Sequence, residues 1–213
     1  MRSALIAVLA LTSLAVAQGP TKAKAKTSKA AAVTTVAHDK ASALKPPAGS
    51  KVAVVIFEDL QCPDCARAHP LVHEVAKAQN VPVVRHDFPL PKHDWSFQAA
   101  VIARYFETKS DKLAEGWRMY CYTHQDELSP DNLTAAAKKF ADANNTQLPF
   151  VMDPDGKLAA KVKADFALGQ KIGIQHTPTI WVVGNTSTAE PFVEVVDRSQ
   201  MSALIDKMKR ASK

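Results

Sequence analysis

Val52-Ala53-Val54-Val55-Ile56-Phe57-Glu58-Asp59-Leu60-Gln61-Cys62-Pro63-Asp64-Cys65 is the stretch on which the reading of this chain turns. The run Val52 to Phe57 is apolar without a break and rich in β-branched residues, the pattern of a strand buried on both faces. After it Cys65, His69, Val72 and Ala76 keep helical spacing, and Pro63 suits a first helical turn, where an N–H lacks a partner in any case. A helix over Cys62–Gln79, kinked at Pro70, is expected. Cys62 then stands where unpaired N–H groups and the positive end of the helix dipole favour a thiolate over a thiol.

The chain has 213 residues, 46% of them apolar, enough for one main domain with a sizeable core. Residues 1–17 read as a cleaved secretory signal: Arg2, the apolar run Ala4 to Ala17, and Ala15-Val16-Ala17 as a small-x-small site before Gln18. The run is shorter than the ~20 residues that span a bilayer, so a membrane anchor is the weaker reading. The formal charge of +6 divides unevenly. Residues 18–45 carry Lys22, Lys24, Lys26, Lys29, Lys40 and Lys45 against Asp39, whereas residues 46–213 balance. Residues 18–47, rich in Ala, Lys, Thr and Ser and closed by Lys45-Pro46-Pro47, read as a flexible linker. Without aromatics or a folded basic face beside the lysines, no nucleic-acid role is expected.

Val81 to Phe88 reads as a second strand, which after strand and helix implies a parallel pair. From about residue 92 to 172 the pattern is helical. Ser110 caps a segment with Leu113, Trp117, Tyr120, Cys121 and His124 on one face; Ser129-Pro130 suits the start of a helix over Asp131 to Asp142; another runs from about Pro154 to Lys171. Thr179–Val183 and Phe192–Val196 read as a hairpin, and Ser199 as the cap of a last helix with Met201, Leu204, Ile205 and Met208 buried.

Alone, Cys62-Pro63-Asp64-Cys65 could be an exchanging dithiol, half of a zinc site or a structural disulfide. Cys62, Cys65, His69 and His73 lie close enough in sequence for a metal reading. Closing all four round one ion, however, would bend the helix, and His69 and His73 are expected to be exposed. The second element is Gly173-Ile174-Gln175-His176-Thr177-Pro178-Thr179, a proline directly before a strand.

With Glu58 to Arg67, Pro70, Asp87-Phe88-Pro89-Leu90, Trp117 and the Thr177-Pro178-Thr179 loop, residues 51–209 resemble the thioredoxin-fold disulfide oxidoreductases, most closely the DsbA-like branch. The resemblance implies an α/β thioredoxin fold, with a central mixed sheet and an inserted helical subdomain, over residues 48–213. It also implies a cis Pro178 against the dithiol, with Thr177, Pro63 and Asp64 lining the substrate site. Cys62 would be the exposed exchanging sulfur and Cys65 the buried resolving one. The redox-active disulfide would serve in place of any cofactor. Cysteine-containing secreted proteins would be the substrates and a membrane redox partner would recycle the dithiol. A monomer in the periplasm or outside the cell is expected. Disulfide formation is the reading adopted; reduction or isomerisation on the same fold, a metal site and a non-catalytic peptide-binding module are the alternatives.

Two departures bear on direction. Ile56 holds the place of the family's buried carboxylate, leaving Glu58 as a candidate proton carrier or else an exposed acid at a strand end. Asp64 stands where a histidine stabilises the thiolate in DsbA, and its charge opposes one, so a potential nearer the middle of the roughly −120 to −270 mV family range is expected. Cys121 reads as a buried thiol, with a regulatory disulfide as its alternative.

Overall fold

The computed structural model describes residues 40, 43–186 and 190–212. The expected signal segment 1–17 and most of the linker 18–47 lie outside the described residues. In chain order come β1 (Val52–Glu58), α1 (Pro63–Ala78), β2 (Val83–Asp87), α2 (Ser96–Glu107), α3 (Asp111–Thr123), α4 (Leu133–Ala143), α5 (Lys157–Lys171), β3 (Thr179–Gly184), β4 (Phe192–Glu194), a short 3-10 turn at Arg198–Gln200 and α6 (Met201–Ala211). The sheet order is β2-β1-β3-β4, with β1 parallel to β2 and antiparallel to β3, and β3 antiparallel to β4. Four helices stand between β2 and β3. The fold is therefore a mixed α/β sheet with an interposed helical block, as the sequence implies.

All seven residues of β1 are buried because both faces of the strand are covered. Val52, Val54 and Ile56 pack on Ala68, Val72 and Ala76 of α1 and on Met201, Ile205 and Met208 of α6. Ala53, Val55 and Phe57 face the other way, into a cluster with Phe88, Ile172, Ile174, Trp181 and Val183. Leu44, assigned from sequence to the linker, is buried in that second cluster, so ordered packing begins before Pro46. No helix of the described residues is long and apolar enough to cross a membrane.

α1 runs unbroken through Pro70, whose ring is on the exposed side, so the expected kink does not end the helix. The hydroxyl of Ser110 accepts from the N–H of Leu113 at 3.1 Å and caps α3 as expected. Ser129-Pro130 does not start α4. Ser129 instead donates its N–H to Asn132 Oδ1 at 2.9 Å, and the helix begins after Asn132. Asp153, not Pro154, organises the start of α5, accepting from the N–H groups of Leu158 and Ala159 at 3.0 and 2.9 Å. Likewise Asp197 accepts from the N–H of Ser199, which the sequence suggested as the cap of α6. A third cluster joins the helical block to the dithiol, with Leu60, Cys62 and Cys65 packed among Trp95, Ile102, Phe106, Trp117 and Cys121.

α5 lies close over the sheet because Gly169 has no side chain: a Cβ there would stand 2.5 Å from the Phe88 ring and 3.2 Å from that of Phe57. Gly→Ala in an unobstructed helix gains about 0.5–1 kcal/mol, whereas overpacking costs about 1–3 kcal/mol. Gly169→Ala is expected to lose about 1–2 kcal/mol net, read as a lower urea midpoint at unchanged slope.

Candidate active site

Cys62 is the N-cap of α1, with Pro63 at its first position and no side-chain cap in the way. The first N–H groups of the helix are left for the sulfur. Cys62 is 7% exposed and Cys65 fully buried. Both thiols are free, as is that of Cys121. The loop carrying Cys62 is pinned from several sides. The Asp59 carboxylate accepts from the N–H groups of Gln61 and Leu90 at 2.8 and 2.7 Å and from the Ser96 hydroxyl at 2.5 Å, and it meets His93 Nδ1 at 2.7 Å. The Asp59 N–H donates to Cys65 Sγ at 3.4 Å. Gln125, beyond α3, donates to the carbonyls of Leu60 and Cys62 at 2.9 and 3.1 Å.

Facing the sulfur is the Thr177–Pro178 bond, which is cis. As a thiol, Cys62 donates to the Thr177 carbonyl at 3.3 Å. Once ionised it can only accept. The Cys65 thiol is then its main donor, opposed by burial and assisted by the Thr177 hydroxyl and the N–H groups of Cys65 and Asp64. The Thr177 hydroxyl is buried and has no hydrogen-bond partner among the described residues, so it is free to turn towards the thiolate. The result brings the Cys62 pKa down to about 5. Cys65 moves the opposite way: burial pushes its thiol far up, and the neighbouring Cys62 sulfur pushes it further. Burial also raises Cys121, which is fully buried.

Asp64 is not the unopposed charge that its position in the sequence suggests. Arg198 Nη1 lies 3.0 Å from Oδ1, Arg198 Nη2 bonds Oδ2, and Arg67 Nη2 lies 3.1 Å from Oδ1. The hydrogen bonds from Arg198 hold its carboxyl below the usual range. Asp64 is half-buried and Pro63 exposed, so both stand at the open side of the dithiol.

Glu58 is not an exposed strand-end acid: it is 2% exposed. Opposite it in the β1–β2 register is Asp87, also buried. Arg85 Nε forms an ion pair with Glu58 Oε1, and Arg118 Nη1 lies 3.7 Å from the same oxygen. Arg118 and Arg104 bond the two oxygens of Asp87, each at 2.6 Å. Burial would raise the Glu58 carboxyl, but Arg85, then His69 and Arg118, hold it well below its usual range.

His69 is buried too, contrary to expectation, because it bridges carboxylates: Nδ1 is 3.3 Å from Glu58 Oε2 and Nε2 is 2.6 Å from Glu115 Oε1. Those two carboxylates outweigh desolvation and raise its pKa. Among the described residues the side chains close enough to share an ion are His69, His73 and Glu115, not the cysteines with the histidines. Arg85 Nη2 already sits 2.8 Å from both His73 Nε2 and Glu115 Oε2. No local pattern marks Gln125, Arg198 or Arg118, whose partners are 31 to 134 residues away.

The family model described as Thioredoxin matches residues 48–207. The chain belongs to the thioredoxin family. Among solved structures it is similar to α-DsbA1 of Wolbachia pipientis, at TM-score 0.63 and 17% identity over 79% of this chain and 90% of that one. It is also similar to a linker-deleted variant of Proteus mirabilis ScsC, at TM-score 0.64 and 18% identity over 88% and 89% of the two chains. A periplasmic thioredoxin-like protein of Salmonella enterica serovar Typhimurium gives TM-score 0.59 at 18% identity over 76% and 87%. At these identities the likeness is one of fold, and the fold is that of a DsbA-like thioredoxin. A curated relative, Na(+)/H(+) antiporter NhaA 3 of Salinispora tropica, is 28% identical over 161 residues, which are 74% of this chain and 24% of that protein. This thioredoxin-family chain thus spans about a quarter of that relative's length.

In the reduced protein the ultraviolet thiolate band is expected to rise with a midpoint near pH 5 and to vanish in Cys62→Ser, with Cys65 and Cys121 silent until far higher pH. A depressed thiol pKa stabilises the folded reduced form above the ordinary thiol value near 9.0, and that contribution is lost as the pH falls through about 5. Arg118→Met leaves the buried Asp87 carboxylate with Arg104 alone and is expected to cost about 2–3 kcal/mol in denaturant unfolding at neutral pH, less than a wholly unpaired buried charge. The loss should be smaller in acid, where the under-compensated carboxylate can take up a proton.

Proposed function

We propose that the chain is a thiol:disulfide oxidoreductase that forms disulfides in cysteine-containing secreted proteins. The observation that carries this reading is the opposed ionisation of the two sulfurs: Cys62 is held as a thiolate with a pKa near 5, while Cys65 keeps its proton. Stabilising the thiolate stabilises the reduced dithiol, which makes the disulfide form the stronger oxidant.

Starting from the Cys62–Cys65 disulfide, a substrate thiolate attacks Cys62 Sγ. A new S–S bond forms to the substrate, the Cys62–Cys65 bond breaks, and Cys65 leaves as a thiolate and takes a proton. A second substrate thiolate then attacks the substrate sulfur of the mixed disulfide and expels Cys62 as a thiolate. The substrate has lost two electrons and the protein has gained them. A membrane partner that accepts those electrons would restore the disulfide. The candidate exchanger of the Cys65 proton is Glu58, acting transiently, because a carboxyl held so low does not keep a proton at neutral pH.

An extended substrate segment would pair with the backbone at Thr177, as peptides add to exposed strand edges. A groove of about 250 Å³ lined by Asp64, Pro178, Val195, Val196 and Arg198 offers room for its side chains. Val196 is 88% exposed there. The signal-like N-terminus and the periplasmic relative support a periplasmic or secreted location.

A thiol pKa of about 5 lies between those of DsbA, roughly 3.5, and thioredoxin, roughly 7. The expected potential accordingly lies between about −120 and −270 mV in glutathione equilibration. Reoxidation of reduced RNase is expected to require Cys62, with Cys62→Ser inert. Equal activity in Cys62→Ser would overturn the reading, and a potential at or below that of thioredoxin would favour reduction instead.

A further inference from the structure

The ion pair between Asp64 and Arg198 takes no part in the exchange steps, yet it joins one of the two residues between the cysteines to a turn 134 positions later. We propose that Arg198 is a positioning residue which masks the Asp64 carboxylate and thereby protects the Cys62 thiolate from it. The inference rests on the exchange reading and adds to it a residue that sets how readily the dithiol gives or takes electrons.

Asp64 is the second residue of α1, in the same turn as the Cys62 sulfur. Its N–H helps to hold the thiolate. Its carboxylate, if bare, would oppose the same charge. The side chain is thus useful at one end and harmful at the other unless a cation covers it. Arg198 meets both oxygens with two guanidinium nitrogens, a two-point contact that a lysine ammonium does not reproduce. Arg67 contacts only Oδ1, from a side chain 68% exposed, against 29% for Arg198, so water screens it more.

The turn that presents Arg198 is itself fixed. Asp197 Oδ1 accepts from the N–H and the hydroxyl of Ser199 at 2.9 and 2.7 Å. Besides Asp64, Arg67 and Arg198, the titratable groups on this side of the sulfur are Cys65 in α1, His176 in the loop before β3 and Glu194 at the end of β4. Among the described residues the side chains bonded to the Asp64 carboxylate are those of Arg198 and Arg67, not His176 or Glu194. Asp59, the acid nearest to Asp64 in sequence, is already held by His93 and Ser96.

The test is the midpoint of the thiolate band in reduced protein for wild type, Arg198→Gln, Arg198→Lys, Asp64→Asn and the double variant Asp64→Asn/Arg198→Gln. Arg198→Gln is expected to raise the midpoint by roughly half a unit to one unit, and Arg198→Lys by less. Asp64→Asn alone should move it little, because the charge it removes is already covered. In the Asp64→Asn background Arg198→Gln should have no effect. The Arg198→Gln shift should shrink in about 1 M salt.

An unchanged midpoint in Arg198→Gln, with circular dichroism and melting intact, would overturn the proposal. So would an equal shift in the Asp64→Asn background, which would mean that the guanidinium acts on the sulfur directly. If Arg198→Gln does not fold, Arg198→Lys and Asp64→Asn decide. A large fall in the Asp64→Asn midpoint would show that the carboxylate is not masked, and no shift in Arg198→Lys would show that the two-point contact is not needed. These titrations need no turnover: the coupling in a protein that exchanges no disulfides would leave the masking in place and sink the exchange reading.

Discussion

Two carboxylates, Glu58 and Asp87, lie opposite one another in adjacent parallel strands and both are buried. Like charges so placed are tolerable only where cations are equally close. Arg85 comes from β2, but Arg118 and Arg104 come from α3 and α2. The helical block is therefore held to the sheet by charge as well as by the apolar cluster around Trp117, and the join lies at the strand end from which the dithiol loop departs. His69 extends the network into α1 and Glu115 carries it to the surface.

Above this network the two sulfurs, one helical turn apart, are driven in opposite directions by their surroundings. Cys62 has a thiol, a hydroxyl and two N–H groups to favour its charge. Cys65 has low-dielectric packing on most sides, one N–H from Asp59, and negative charge from Cys62 and Glu58. One sulfur is thus a good leaving group and the other a good proton holder. That asymmetry gives exchange chemistry an order of events.

The architecture was legible wherever the signal was local. A β-branched run announces β1, a proline one residue after Cys62 announces the start of α1, and the hairpin of β3 and β4 follows from two apolar runs separated by Gly184-Asn185 and polar residues. Thr177-Pro178 could be tied to the cysteines only through resemblance, since nothing in the intervening residues encodes that approach. Local reading failed at two helix starts: α4 begins after Asn132 rather than at Ser129, and the Asp153 carboxylate rather than Pro154 holds the first turn of α5. It failed more seriously for charges. Asp64 reads as a bare acid and Glu58 as a strand-end acid because the arginines that complete them lie far along the chain. A sequence displays charges singly, but their effect on a sulfur depends on pairs.

Leu44 carries a consequence for where this domain starts. The family match begins at residue 48, yet Leu44 is 1% exposed, in the cluster that holds Val55, Phe57, Trp181 and Val183. What relatives share and what the fold requires are different lengths of chain. A polypeptide trimmed to the shared portion would leave a leucine-sized hollow against the central strands, and Leu44 is in that sense its cork.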